Sequence, residues 1–290
     1  MSLTILGGRG FVGSNYVKAF YDPAVGNIAS INGRDNYNVF SKDVLYFIST
    51  VHNYHVFDAP LRDIDTNLTT LVQVLESWRA RPDARDGVFN FISSWFVYGG
   101  SKIRHDVHES EYCDPKGFYS ITKRCAEQLL ASYCATYGLK YRILRLANVL
   151  GDDLKASAKK NALQYMIGQL SRNEPVQIYG TGDFHRDYIH VNDCVTAIDL
   201  VITHGDLNQI YNIGNGKTWK FKDIIQHVRE RLGSKSDVTF IEPKDFHKIV
   251  QSTSFYMNVD SLKGLGYIPT LTEETLWEST YENFDSSGEC

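Results

Sequence analysis

The chain has little cysteine, and what it has is scattered: Cys113, Cys125, Cys134, Cys194 and Cys290, an odd number among 290 residues. With no C-x-x-C pair and no Cys/His metal spacing, these read as reduced thiols, and no bound metal is expected. Long apolar runs are missing too: none approaches the ~20 residues of a bilayer-crossing helix, so no membrane span is expected. Positive charge is not in excess, because 30 Lys and Arg stand against 34 Asp and Glu, a net charge of -4. That disfavours a nucleic-acid partner. The opening residues, MSLTILGG, run straight into a strand and lack the basic region, apolar core and cleavage site of a secretory signal, so a cytoplasmic address is expected. No repeat or low-complexity tract appears. What remains is a chain with 43% hydrophobic residues, able to bury a large core in one large domain and a smaller one.

Strand and helix patterns alternate along the first half. LTILG (3–7), NIASIN (27–32), DVLYFIS (43–49), GVFNFIS (87–93) and YRILRLA (141–147) are apolar throughout, as strands covered on both faces are. Between them lie helical patterns at FVGSNYVKAF, at PLRDIDTNLTTLVQVLESW and around Tyr119. The alternation predicts an α/β fold, a Rossmann-like doubly wound parallel sheet. After Gly151 the character changes. A Lys-rich linker, KASAKK, leads to a helix near 161–171, a short strand VQIY, the helix VNDCVTAIDLVI and smaller mixed elements. The expected division is a dinucleotide-binding domain over 1–150 with a return segment at about 188–213, and a smaller C-terminal α/β substrate-binding domain from 151–187 and 214–290.

The first chemical motif is GGRGFVG, which sets Gly7, Gly10 and Gly13 between the first strand and the first helix. Glycines there permit a tight turn and a close approach of the backbone to a pyrophosphate, which the free amides at the helix start, Phe11 and Val12 among them, then stabilise. A second determinant lies at the end of the second strand, where an acid reads a ribose hydroxyl and an Arg accommodates a 2'-phosphate. Here the strand ends Ser30, Ile31, Asn32, Gly33, Arg34, with Arg9 in the glycine turn. Two cations and no carboxylate at the strand tip favour NADP, with NAD still open. The plainer reading is that Arg9 and Arg34 are solvated and Asn32 or Asp35 serves a ribose. Ser49 and Thr50, ending the third strand, are further cofactor candidates.

In FISSWFVYGG a strand delivers Ser93 and Ser94 at its carboxyl end, and Tyr119 and Lys123 follow, four apart in GFYSITKRCAEQLL. Together Ser94, Tyr119 and Lys123 make a hydride-transfer site: Ser94 fixes a substrate oxygen, Tyr119 exchanges its proton, and Lys123 holds the cofactor ribose and lowers the phenol's pKa. His52, Asn53, Tyr54 and His55 lie at the rim of that pocket and read better as a solvated loop than as substrate ligands.

These motifs resemble those of the extended short-chain dehydrogenase/reductase family, the nucleotide-sugar epimerases, dehydratases and reductases. DTNLTTLVQVLE matches that family's helix whose Asn, here Asn67, lies near the cofactor. RLANVLG resembles R-x-x-N-V-Y-G, whose Asn, here Asn148, contacts the nucleotide diphosphate. IYGTGDFHRDYIHVNDC is similar to a block whose Arg, here Arg186, grips a phosphate; YNIGNG recurs as well. The resemblance implies a nucleoside-diphosphate sugar as substrate, with Ser94, Trp95, Asn148 and Arg186 touching it. It also implies a homodimer through the helices 60–78 and 117–137, which Tyr133 and Tyr137 would suit.

Two departures from the family pattern narrow the expectation. Where its 4,6-dehydratases place Asp and Glu after the active-site hydroxyl, this chain has Trp95 and Phe96, and aromatic rings cannot move those protons. Retained-NAD 4-epimerases usually have an acid where Asn32 stands. A 4-keto-sugar reductase is therefore expected ahead of a 4-epimerase, and ahead of a non-catalytic sensor with the same fold. Second, only ten residues separate Asn32 from Asp43, too few for the usual parallel crossover. The sheet should have one edge strand fewer than usual.

Overall fold

A computed structural model describes residues 2–22, 24, 28–32, 37–99, 104–151, 161–250 and 254–270. Arg34, the side chain of Asn32, the KASAKK segment, Trp277 and Phe284 lie outside the described residues.

Six parallel strands form the central sheet in the order Gln209–Ile213, Lys140–Leu146, Val88–Ser94, Asp43–Tyr46, Leu3–Leu6, Ile28–Asn32. Leu3–Leu6, Asp43–Tyr46 and Val88–Ser94 are buried at every position, which follows from helices on both faces. One face packs Ile5, Leu45 and Leu144 against Tyr16 of helix Phe11–Phe20 and Val195, Ile198 and Val201 of helix Val191–His204. The other packs Leu6, Val44, Phe89, Phe91 and Ile143 against Leu71, Val74 and Trp78 of helix Thr70–Arg79 and Ala126 and Leu130 of helix Phe118–Tyr137. Ile28–Asn32 is the edge strand, and among the described residues the link to Asp43 contains no strand. The link is instead tied to the sheet by the Thr4 hydroxyl, which accepts the backbone N–H of Phe40 and of Ser41 at 3.0 Å each.

The helical pattern read as one element over 60–78 is interrupted. Helix Leu61–Ile64 passes into a π-helical turn, Asp65–Thr69, before Thr70–Arg79. Such wide turns concentrate at functional sites, and this one carries Asn67, which is 2% exposed.

A second core forms where Leu163, Ile167 and Leu170 of helix Ala162–Ser171 meet Ile224, Ile225 and Val228 of helix Phe221–Arg231. Val176–Tyr179 pairs in parallel with Val238–Ile241 beside it. Between these elements the chain returns to the sheet. Tyr188–His190 pairs with Asn148–Leu150, the helix Val191–His204 bonds back through Tyr16 Oη to Asp199 Oδ1 at 2.8 Å, and Gln209–Ile213 becomes the sixth strand.

One expectation on organisation differs. Residues 214–290 do not all leave with the second core: Phe255, Met257, Val259, Leu262 and Tyr267 join the core that contains Leu144 and Ile213. The cause is local pairing. Phe255–Met257 lies beside Arg104–Val107, and Asn212 Nδ2 donates to the carbonyls of Val107 and Asn258 at 2.9 Å each.

Candidate active site

The carboxyl ends of four adjacent strands open into one cleft of about 2250 Å³, more than twice the upper end of the ordinary small-molecule pocket range of about 300 to 1,000 Å³. Gly7 follows the first strand, Ser49 and Thr50 the third, Ser93 to Phe96 the fourth, and Ala147 to Val149 the next, and all of them line it. The glycine turn is shaped by what it excludes. Gly7 has φ +82°, and a Cβ on Gly13 would lie 2.7 Å from the Gly7 carbonyl oxygen and 3.0 Å from Gly8 Cα. Helix Phe11–Phe20 begins at Gly10 with no side-chain cap, and Phe11 and Val12, its first residues, line the cleft, where the start of a helix suits an anion. Arg9 is exposed beside it. These residues fit the pyrophosphate of a dinucleotide.

Ser94 and Tyr119 are brought together. The hydroxyls of Ser94 and Ser49 line the cleft with the Tyr119 phenol and act on its titration. Burial raises its pKa above the ordinary 10.0, the two hydroxyls pull it down, and the Asp63 carboxylate pushes it up again. The neighbouring Ser93 faces the other way, donating to Glu127 Oε1 at 2.6 Å. A strand turns successive side chains to opposite faces, which is why only one serine of the pair reaches the cleft's tyrosine.

Lys123 lies one turn beyond Tyr119 on the same helix face and lines the cleft. Its Nζ donates to the Ile92 carbonyl at 2.6 Å and sits 4.2 Å from the centre of the Phe91 ring. Burial lowers its own pKa to about 7, while Glu127, a further turn along, raises it. Glu127 was not singled out in the sequence. It is 1% exposed, receives Arg145 Nε at 3.0 Å and Nη2 at 2.8 Å, and takes Arg124 Nη1 at 2.8 Å. Burial works against its charge, but these partners hold its carboxyl below the ordinary range.

Asn67 stands behind the cleft wall and not on it. Its Oδ1 accepts from Ser49 Oγ at 3.1 Å and Thr50 N at 2.9 Å, and its Nδ2 donates to Thr50 Oγ1 at 2.8 Å and Thr122 Oγ1 at 2.9 Å. With every group of its amide engaged, it orders the residues beside the tyrosine and has nothing left for a cofactor. Thr50, in turn, gives its hydroxyl to the buried Asp63 at 2.5 Å.

The rim loop is more than solvated. Asn53 Oδ1 accepts the Ser120 backbone N–H at 3.3 Å, capping the helix that carries Tyr119 and Lys123. A Cβ on Gly117 would fall 2.0 Å from that oxygen, which is why glycine precedes the helix. Tyr54 Oη lies 2.9 Å from His247 Nε2, joining the loop to the helix Asp245–Val250.

On the opposite wall, Asn148 lines the cleft and its Nδ2 donates to the Asp187 carbonyl at 3.0 Å. Arg186 is 7% exposed, donates to the His185 carbonyl at 2.8 Å and lies 4.7 Å from the Phe184 ring centre; burial lowers its pKa to about 10. It forms no ion pair with Asp187, whose carboxylate accepts the backbone N–H groups of Asn215, Gly216 and Met257. Trp95 was expected against the substrate. It does line the cleft, but at 3% exposure it is stacked between Phe96 at 4.2 Å and Phe255 at 4.7 Å. Phe96 stands edge-on to Tyr119 at 6.1 Å.

Known proteins resemble this chain in sequence and in fold. The Haloferax volcanii low-salt glycan biosynthesis protein Agl12 is 25% identical over 304 residues, covering 93% of this chain and 94% of its own. The crystal structure of Thermotoga maritima UDP-glucose 4-epimerase with UDP-glucose superposes with a TM-score of 0.83 at 22% identity, over 100% of both chains. That of Pseudomonas aeruginosa RMD complexed with NADPH gives 0.82 at 18% identity, over 98% of this chain and 99% of that one. The sequence profile of one family matches residues 38–214, the stretch that holds Ser94, Tyr119, Lys123, Asn148 and Arg186. On that match, over more than half its length, the chain belongs to the NAD dependent epimerase/dehydratase family.

Proposed function

We propose that the protein is an NAD(P)H-dependent oxidoreductase acting on a nucleoside-diphosphate sugar, and that it reduces a 4-keto sugar. The observation that carries this reading is that the Ser94 hydroxyl and the Tyr119 phenol share a cleft in which Trp95 and Phe96 occupy the next two positions. An acid and base for removing water are missing from those two positions, while the hydroxyl and phenol needed to handle a carbonyl oxygen are together.

A nicotinamide, when bound, supplies the hydride for such a reduction. Gly7, Gly10, Phe11, Val12 and Gly13 would hold its pyrophosphate, and Arg9 would favour the 2'-phosphate of NADP over NAD. Ser94 orients the sugar oxygen by a hydrogen bond, and Tyr119 gives up its O–H proton as that oxygen becomes a hydroxyl. Lys123, kept near the phenol by its bond to the Ile92 carbonyl, is within a small charge perturbation of being protonated or neutral. Arg186 and the Asn148 amide would receive the diphosphate. The elements around the second core, 162–187 and 219–250, would form the substrate-binding half, with the sheet forming the cofactor half. Exposed Val72, Leu129 and Tyr137 on the outer helices support a homodimer through that face.

The test is a panel of nucleoside-diphosphate sugars and their 4-keto derivatives, offered with NADH or NADPH. Oxidation of the added cofactor by a 4-keto sugar is the expected result, and Tyr119→Phe should abolish it while leaving cofactor binding intact. Isomerised sugar without net oxidation would replace this reading with a 4-epimerase that retains NAD. Binding without any turnover, unaffected by Tyr119→Phe, would leave the nucleotide-sensing alternative.

A further inference from the structure

We propose that Ser93 is a positioning residue for the reacting pair: by donating to Glu127 it fixes the carboxyl end of strand Val88–Ser94 against the helix that carries Tyr119, and thereby sets the place of the Ser94 hydroxyl. The inference rests on the reading of Ser94 and Tyr119 as the groups that handle the carbonyl oxygen.

The strand needs a grip where Ser94 stands. Its pairing with Asp43–Tyr46 stops at Phe91, so over Ile92, Ser93 and Ser94, among the described residues, only Lys140–Leu146 is paired with it. Beyond Ser94 the chain turns at once into the short 3₁₀ helix Trp95–Tyr98. Helix Phe118–Tyr137 supplies two grips on that end, from residues four apart on one face. Lys123 Nζ donates to the Ile92 carbonyl at 2.6 Å, and Glu127 Oε1 accepts from Ser93 Oγ at 2.6 Å. Tyr119 lies one turn before Lys123 on the same face, so both grips and the phenol belong to one helix.

Ser93 is singled out by its register. It pairs with Arg145 of the neighbouring strand, and Arg145 reaches the same carboxylate, Nε to Oε1 at 3.0 Å and Nη2 to Oε2 at 2.8 Å. Glu127 thus ties the helix to two adjacent strands at one level, a single residue before Ser94, and both Ser93 and Glu127 are buried. Successive side chains of a strand point to opposite faces, so a strand end that cannot rotate at Ser93 cannot turn Ser94 away from the cleft. When Ser93 is changed, Glu127 still keeps Arg145 and, through Nη1 at 2.8 Å, Arg124. The ion pairs that hold the helix in the fold are therefore separable from the bond that positions Ser94.

Ser93→Ala removes one oxygen and leaves those ion pairs in place. With the 4-keto nucleotide sugar that the wild type reduces fastest, kcat should fall about tenfold, short of the ~100-fold that a misplacement of about 1 Å can cost. KM for both substrates should stay within about twofold, since the groups that bind them are untouched. A double-mutant cycle separates positioning from a plain loss of stability. In a Ser94→Ala background no hydroxyl is left to misplace, so adding Ser93→Ala should lower kcat by less than about twofold. A second measurement needs no turnover: a crystal structure of Ser93→Ala should show the separation of the Ser94 and Tyr119 oxygens changed by about 0.5 Å or more, the tolerance of a working site. Unchanged kcat in Ser93→Ala, an equal fall in both backgrounds, or an unmoved Ser94 would each overturn the inference. Full turnover in Tyr119→Phe would instead overturn the functional reading, so the two failures are told apart.

Discussion

Lys123→Met should inactivate the enzyme and stabilise the protein, and the size of the gain should depend on pH. The Lys123 amine is 2% exposed, and burial lowers its pKa from 10.5 to about 7. That interval, at about 1.4 kcal/mol per pH unit, corresponds to a cost of roughly 5 kcal/mol for carrying the charged form in the native state near neutral pH. Methionine has a similar length and no charge. It loses the bond to the Ile92 carbonyl, which offsets about 1 to 2 kcal/mol, so a net gain of about 3 kcal/mol remains near pH 7. The sign follows from proton counting. Between pH 7 and 10.5 the native lysine holds fewer protons than the unfolded one, so the wild type becomes more stable as pH rises across that window. The variant has no such rise, and its advantage should be full at pH 7 and below and shrink toward pH 10.5. Urea unfolding of both proteins at about pH 7 and about pH 9.5 measures the two gaps. A variant less stable than the wild type at neutral pH, or a gap that stays constant, would refute the reasoning. So would retained turnover.

Three further outcomes are expected. Gly117→Ala puts a methyl 2.0 Å from Asn53 Oδ1, so the cap on the Tyr119 helix must be displaced; a loss of about 1 to 2 kcal/mol in unfolding free energy, with a fall in kcat, should be measured, and no loss would mean that the cap contributes nothing. Arg9→Ala should lower kcat/KM with NADPH by about tenfold, as for one lost charge-assisted phosphate contact, and leave that with NADH unchanged; equal effects on both would remove Arg9 from the selection of NADP. Leu129→Glu places a charge among the exposed apolar residues of the outer helices, and light scattering after size exclusion should show a dimer for the wild type and a monomer for the variant; a monomeric wild type, or an unchanged mass, would remove this face as the interface.

The parallel sheet and its helices were legible because the signal is collective: a strand such as Val88–Ser94, buried at all seven positions, needs apolar residues at consecutive positions. The sixth strand, Gln209–Ile213, escaped as a strand because it opens with an exposed glutamine and is short. Ser94, Tyr119 and the glycine turn were legible because each chemistry admits few residue types at fixed spacing. The network around them was not. Glu127 and Arg145 are separated by a helix end and a strand, and a pair formed across the fold leaves no local pattern. The π-helical turn at Asp65–Thr69 was hidden by a helical sequence that continues through it. Asn53 looked like a loop residue because its partner, the Ser120 amide, lies 67 positions further on. The titration of Lys123 is set mainly by burial, which composition does not reveal.

The path of the chain after Ile213 has a mechanical consequence. It leaves the sheet for the second core and comes back at Phe255–Met257, beside Arg104–Val107, while an earlier excursion had already left and rejoined at Asn148–Leu150 and Tyr188–His190. The outer lobe is thus tethered by its entry and exit strands alike. A lobe joined to the sheet at paired strands on both sides is held by more than one attachment, so its Arg186 wall faces the Tyr119 side of the cleft on paired backbone and not on a single linker.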